Sequence, residues 1–344
     1  MSLKLKSKSC IAYSETFKRF SFVMTLMIII SISIIILSFG MGYYKTPLKD
    51  VFSVIFKGDT SQNAYNIIMN IRLPRIIAAF MIGAALSVSG SAYQGMFKNP
   101  LVSPDILGVS AGAGLGASLA ISLEFPYYYV QLMAFLFGVM AVFICYVSAN
   151  TIKFGNTVSL ILAGIMVQAL ANAFTTFLKY IADPNNTLSE ITFWLMGSLA
   201  KVDRESLIFS IIPMIIGFII LFSIRYRLNI LTLGDDEAKS MGVNPNRTRI
   251  IAVIGATILS ASAVCLGGLI GFVGLMVPHI SRFFVGPQYK RLLPVTALMG
   301  GSYLLLMDNI ARSTFTMEIP LGVITALIGA PFFLYLIWHK GEAE

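Results

Sequence analysis

Ten stretches of this sequence stay apolar for about the 20 residues that a helix needs to cross a bilayer, and nothing else constrains the fold so strongly. They are 20–42, 73–97, 105–123, 126–149, 157–181, 206–224, 248–266, 268–285, 292–311 and 319–338. The 344 residues are 57% hydrophobic and 12% charged, with mean hydropathy +0.81. A soluble domain carries about 25% charged residues. Hydrocarbon offers no partner for a backbone N–H or C=O, so each crossing must satisfy its own hydrogen bonds as a helix. The expectation is an all-α polytopic membrane protein. It forms one transmembrane domain over 1–344, with a cytoplasmic tail at 1–19 and a cytoplasmic loop at 225–249. The lysine-rich N-terminus runs into the first span without a small-residue cleavage site, which predicts an uncleaved helix.

Lysine and arginine are retained on the cytoplasmic side of short loops. With both termini inside, 16 of the 25 lysines and arginines fall inside. Cys10, Cys145 and Cys265 have no disulfide or metal-ligand spacing, and His279 and His339 lie far apart, so no metal or cofactor is expected. No glycine is followed by lysine, which excludes a GxxxxGK[ST] phosphate-binding loop. Asp105, Glu124, Asp308 and Glu318 sit near span ends, where they could not relay protons across the membrane. With no catalytic constellation present, the chain should be neither an ATPase nor another enzyme. No nucleic-acid partner is expected.

The loops and span faces carry finer signals. Arg72-Leu73-Pro74-Arg75 opens the second span. Its two arginines, on the outer side, read either as headgroup anchors or as receivers of an acidic partner, because guanidinium binds carboxylate directionally. Gly83, Ser87, Ser91 and Gly95 form one small-residue stripe, and Gly108, Gly112 and Gly116 another; both suit close helix packing in lipid. Ser103, Pro104 and Asp105 make a capped start for the third span. Gln168, Asn172, Thr175 and Thr176 recur along the fifth, facing either other helices or a wet path. The 191–199 segment, with Trp194, suits a short interfacial helix.

In the 225–249 loop, Asp235, Asp236 and Glu237 open a short helix closed by Gly242. So short a helix needs a surface to dock on. Arg75-Ile76-Ile77-Ala78 and Arg249-Ile250-Ile251-Ala252 open spans separated by five crossings, as in an inverted repeat. The stretch 267–282, GGLIGFVGLMVPHISR, is expected as one span kinked at Pro278, with Gly267 and Gly271 letting a neighbour approach. Asp308 and Arg312 are expected as a local i,i+4 pair worth a few tenths of a kcal/mol.

RLPR, GAALSVSGSAYQGMFKNPLVSPDILGVSAGAGLG, FWLMGSL, LGDDEAKSMGV, GGLIGFVGLMVPHISR, DNIAR and EIPLGVITALIGAPFF, in this order over about 60–338, together resemble the FecCD family. These are the permease subunits of type II ATP-binding-cassette importers for iron-siderophores, haem and cobalamin. The resemblance implies a cobalamin-permease-like bundle of about ten helices in a prokaryotic cytoplasmic membrane. It implies a homodimer whose path lies on the two-fold axis, two cytoplasmic ATPase subunits and an extracytoplasmic solute-binding protein. Arg72, Arg75 and Arg312 match the positions that meet the binding protein. Asp235, Asp236, Glu237, Ala238, Lys239, Met241 and Gly242 match the ATPase-coupling helices. Asn99, Leu101, Thr157 and Val158 match the inner gate, where serine is more usual at the last position. Gln168, Asn172, Thr175 and Thr176 are assigned to the translocation path. Iron-siderophore is the expected cargo, with haem or cobalamin as alternatives. A secondary carrier driven by an ion gradient is the rival class, and a membrane-embedded enzyme a third. Metal-ion permeases with fewer spans fit the count of ten less well.

Overall fold

The computed structural model describes residues 2–42, 51, 53–54, 65–151, 156–314 and 317–341. The described residues contain thirteen α-helices and no strand. They are α1 (Ser2–Gly40), α2 (Leu73–Met96), α3 (Val109–Ser122), α4 (Tyr127–Thr151), α5 (Asn156–Ile181), α6 (Thr187–Met196), α7 (Arg204–Ser223), α8 (Arg225–Leu233), α9 (Asp235–Ser240), α10 (Pro245–Gly267), α11 (Val273–Val285), α12 (Tyr289–Ser313) and α13 (Leu321–Gly341). A π-helical turn, Ile67–Arg72, leads into α2, and a 3-10 turn, Pro104–Leu107, precedes α3.

Among the described residues, six helices are long and apolar enough to cross a bilayer: parts of α1, α4 and α5, α2 with its π-turn, and all of α7 and α10. α3, α11 and most of α13 are shorter apolar helices. α12 is 25 residues long and carries Lys290, Arg291, Asp308 and Arg312 near its ends. These ten coincide with the ten apolar runs of the sequence.

α2 and α10 are mostly buried, whereas little of α1 is. α2 packs against α10, α11 and α12, while α3, α4 and α5 pack on one another and α7 lies on α10. α1 ends where α2 begins, and α8 and α9 lie at the opposite end. These two ends are called the arginine end and the α9 end below.

The Gly83–Gly95 stripe does what its spacing predicts, and its receiver is α12. A Cβ on Gly83 would overlap the Gly300 carbonyl, and one on Gly300 would overlap Ser87 Oγ. The Tyr289 hydroxyl donates to the Ser91 carbonyl at 2.7 Å and presses on Gly95. Gly112 and Gly116 seat against the Phe137 and Met133 carbonyls of α4.

The stretch 267–282 differs from expectation. α10 ends at Gly267, and the backbone breaks through Gly268 (φ +71°) and Phe272 (φ +65°) before α11 starts. A Cβ on Gly271 would meet nothing within 4 Å, and one on Gly267 would meet side-chain atoms of Ile82, Ile270 and Leu199. The close approach belongs to Gly274, whose carbonyl lies against Gly90 of α2. Pro278 explains this carbonyl's freedom, because the proline lacks the N–H that would bond residue 274 within the helix. The third span departs in the same way. Ser103 caps as expected, with its Oγ accepting from the Asp105 N–H at 3.2 Å, but the turn it caps is 3-10. Gly108 (φ +87°) then redirects the chain into α3.

Candidate functional site

At the arginine end, α1 has no basic residue in its last turn. Its terminal carbonyls lack intrahelical donors and carry the negative end of the helix dipole. Two arginines from elsewhere in the chain supply what is missing. Arg72 donates to the Phe39 carbonyl. Arg312 donates to the Ser38 carbonyl at 2.6 Å and to Asn309 Oδ1 at 2.5 Å, while Asn309 Nδ2 donates to Ser38 Oγ at 2.7 Å.

Arg75 grips two carboxylates. Its Nε and Nη2 donate to Asp308 Oδ1 at 3.0 and 2.8 Å, and its Nη1 and Nη2 donate to Glu318 at 2.8 and 2.9 Å. The Asp308 side chain is fully buried, whereas that of Glu318 is 40% exposed. Asp308 is therefore no surface i,i+4 pair with Arg312. Arg312 Nε stands 3.6 Å from its carboxylate, and Arg75 is the principal partner. The physical reason is desolvation: a buried carboxylate is tolerated only when a cation and further donors surround it. All three arginines are buried and already hold partners within the chain.

Beside this cluster lies a cavity of about 680 Å³, lined among others by Tyr127, Ser189, Phe193, Trp194, Lys201 and Glu318. Lys201 Nζ pairs with Glu190 at 2.7 Å and sits 5.5 Å from the centre of the Tyr127 ring. α6, which starts four residues before the expected 191–199 segment and ends at Met196, forms one wall. Its end is pinned where interrupted backbone segments meet: the Ser198 N–H bonds the Gly267 carbonyl at 3.0 Å, and the Leu321 N–H bonds the Gly197 carbonyl at 2.9 Å.

The four polar residues of α5 divide. Gln168 donates to the carbonyls of Asp105 and Ile106 at 3.0 and 3.1 Å, serving the 3-10 turn that lacks regular helical partners. Thr175 is buried and bonds the Ala171 carbonyl. Asn172 and Thr176 are exposed, on a face shared with Leu162, Ile165 and Ala169. A carboxamide on a lipid-facing surface would be costly, so this face calls for a cover of protein or water.

At the α9 end, the short acidic helix forms as expected. Its close is a Schellman motif: the Val243 N–H bonds the Ala238 carbonyl at 2.8 Å and the Gly242 N–H bonds that of Lys239 at 3.0 Å, with Gly242 at φ +77°. Its docking surface is the chain itself. Asp235 accepts both Arg249 Nη groups at 2.9 and 2.6 Å, which holds its carboxyl below the usual carboxylate range, and Ala238 is fully buried. Asp236, Glu237, Lys239 and Met241 remain exposed. The two RIIA arginines thus sit near the starts of the two most buried spans, Arg75 third in α2 and Arg249 fifth in α10, at opposite ends of the bundle, each in a carboxylate grip. At this same end Asn99 Oδ1 accepts the Leu101 N–H at 2.9 Å, and the Leu101 and Val158 side chains are about half exposed. Thr157 lies in α5, with its side chain outside the described residues.

Sequence reasoning missed the partners more often than the sites. In the sequence Glu318 is only a span-end acid, and nothing there marks Tyr289. Tyr289 ties α12 to α2 through its hydroxyl and to α8 through its N–H, which donates to Asn229 Oδ1 at 2.7 Å. Arg282 donates to Gln94, a buried amide on α2. The span count places Arg75, Asp308 and Glu318 on one side of the membrane, and that was the available signal.

The family model of the FecCD transport family matches residues 27–339. The molybdate import system permease protein MolB of Haemophilus influenzae is 37% identical over 94% of this chain and 96% of its own length. The hemin transport system permease protein HmuU of Yersinia pestis is 38% identical over 85% of this chain and 89% of its own. Among solved structures, one described as a metal-chelate type ABC transporter in an inward-facing conformation superposes with TM-score 0.82 at 37% identity, covering 93% of this chain and 99% of that one. A bundle of about ten membrane helices, a family match over nearly the whole sequence and relatives that are themselves permeases converge: the chain belongs to the FecCD transport family and is a transport component, not a catalyst.

Proposed function

We propose that this chain is the permease subunit of an ATP-binding-cassette importer, working as a homodimer that passes an iron chelate along its two-fold axis. The observation that carries the reading is the exposed α5 face. Asn172 and Thr176 interrupt an otherwise apolar surface, and pairing two such faces would bury the apolar residues and wet the polar ones. This face holds no charged residue between Val158 and Leu178. A neutral path suits a large chelate whose ligand already masks the metal's charge. Haem and cobalamin fit the same argument, and the names of the relatives span several cargoes.

The lysine and arginine distribution supports both termini and the α9 end being cytoplasmic. The exposed acids of α9, with Lys239 and Met241, then seat in the ATPase, and Asn99, Leu101, Thr157 and Val158 gate the inner mouth. The arginine end faces the solute-binding protein, with Arg72, Arg75 and Arg312 as its basic floor. ATP-driven closure of the two ATPases tilts the bundle by rigid-body movement.

The test uses Asn172→Cys in a Cys10→Ser background; Cys145 and Cys265 are buried and protected. A short bismaleimide should link two subunits in membranes. Absence of a dimer band under labelling conditions that modify N172C with a monofunctional maleimide would overturn the axial placement of α5.

A further inference from the structure

The two carboxylates on Arg75 are not equivalent. Asp308 belongs to a helix, is fully buried and takes three of the arginine's contacts. Glu318 lies in the short connection between α12 and α13, with its side chain 40% exposed. Removing a partner from a buried charge is costly, whereas an exposed ion pair contributes little. Asp308 therefore holds the guanidinium in place, and Glu318 is the partner that can leave. Glu318 binds through Nη1 and Nη2, the end-on edge of the guanidinium, while Asp308 takes the Nε–Nη2 side edge and shares Nη2 with it. That is the geometry in which an incoming carboxylate would bind bidentately.

We propose that Glu318 is an intramolecular stand-in for a carboxylate of the docking protein. It occupies the recognition fork of Arg75 in the free permease and is exchanged on docking. The inference rests on the reading of this end as the docking surface. Until exchange, Arg75 is neutralised and held in the rotamer that docking needs, so the arginine is preorganised at the expense of competition. Specificity follows as well. A partner without a carboxylate at this point leaves Glu318 in place and gains nothing from Arg75.

The experiment measures binding of the purified solute-binding protein that supports uptake by this permease to the whole importer in lipid nanodiscs, by biolayer interferometry. Glu318→Gln keeps the shape and removes the competing charge, and should tighten binding by about two- to fivefold. Asp183→Asn, which removes an exposed acid of the 182–186 loop outside the Arg75 contacts, should leave binding unchanged. Arg75→Lys keeps the charge but loses the fork, and should weaken binding. If E318Q binds no tighter while R75K binds more weakly, the stand-in role is overturned and the docking surface stands. If E318Q and D183N tighten binding equally, the effect is general surface charge and the stand-in role is again overturned. If R75K binds as well as the unaltered chain, the docking reading fails and the inference with it.

Discussion

Gly90→Ala tests how α2 and α11 meet. A methyl group on Gly90 would overlap the carbonyl oxygen of Gly274 and stand 2.7 Å from its carbon and 3.0 Å from its Cα. The obstacle is backbone, so no rotamer change can make room. α11 would have to move away from α2 by about an ångström, and Gly274 is backed by Pro104. Overpacking of this kind costs about 1–3 kcal/mol, and a rigid obstacle puts it at the upper end. Alanine returns about 1 kcal/mol of helix propensity inside α2. The net loss is then about 1–2 kcal/mol, a fall of several degrees in melting temperature in detergent by the usual scaling of about 2–4 °C per kcal/mol. Gly271→Ala is the matched control, because its Cβ would meet nothing within 4 Å, and it should melt with the unaltered protein. A G90A protein as stable as G271A would refute the contact between α2 and α11 and the role assigned to Pro278.

Arg75→Ala strips the buried Asp308 of its main partner and should cost roughly 3–5 kcal/mol, read as lost yield and lower melting temperature; adding Asp308→Asn should restore part of it. Asp235→Asn should loosen α9, with faster amide hydrogen exchange over 236–243. Because Arg249 holds the Asp235 carboxyl below its ordinary value of 3.8, this anchor is fully present above that value and is lost as pH falls through the lower folded-state value. Protection factors at 236–243, which divide out the intrinsic pH dependence of exchange, should therefore stay high at neutral pH and fall only in strong acid. Tyr289→Phe removes the hydroxyl that bonds the Ser91 carbonyl and should cost about 1 kcal/mol; a more stable Y289F would show that the crowding against Gly95 outweighs the hydrogen bond.

The number of crossings, the small-residue stripes, the cap at Ser103 and the acidic helix closed by Gly242 were all legible in the sequence. Each depends on local chemistry: length against bilayer thickness, residue size at helical spacing, or a turn that needs a particular residue. Gly83 and Gly300 show where that legibility stops, because a glycine announces a close approach without naming the neighbour. Tertiary structure alone decided that 267–282 breaks at Gly268–Phe272, that Gly274 and not Gly271 meets α2, and that Gln168 serves a 3-10 turn 62 and 63 residues away while Asn172 stays exposed. The arginine end makes the same point in electrostatics. Burying a charge commits the fold to finding a partner, but Arg75 and Asp308 are separated by 233 positions in the chain. Which carboxylate answers which arginine is fixed by how the helices stack, which a linear pattern does not record.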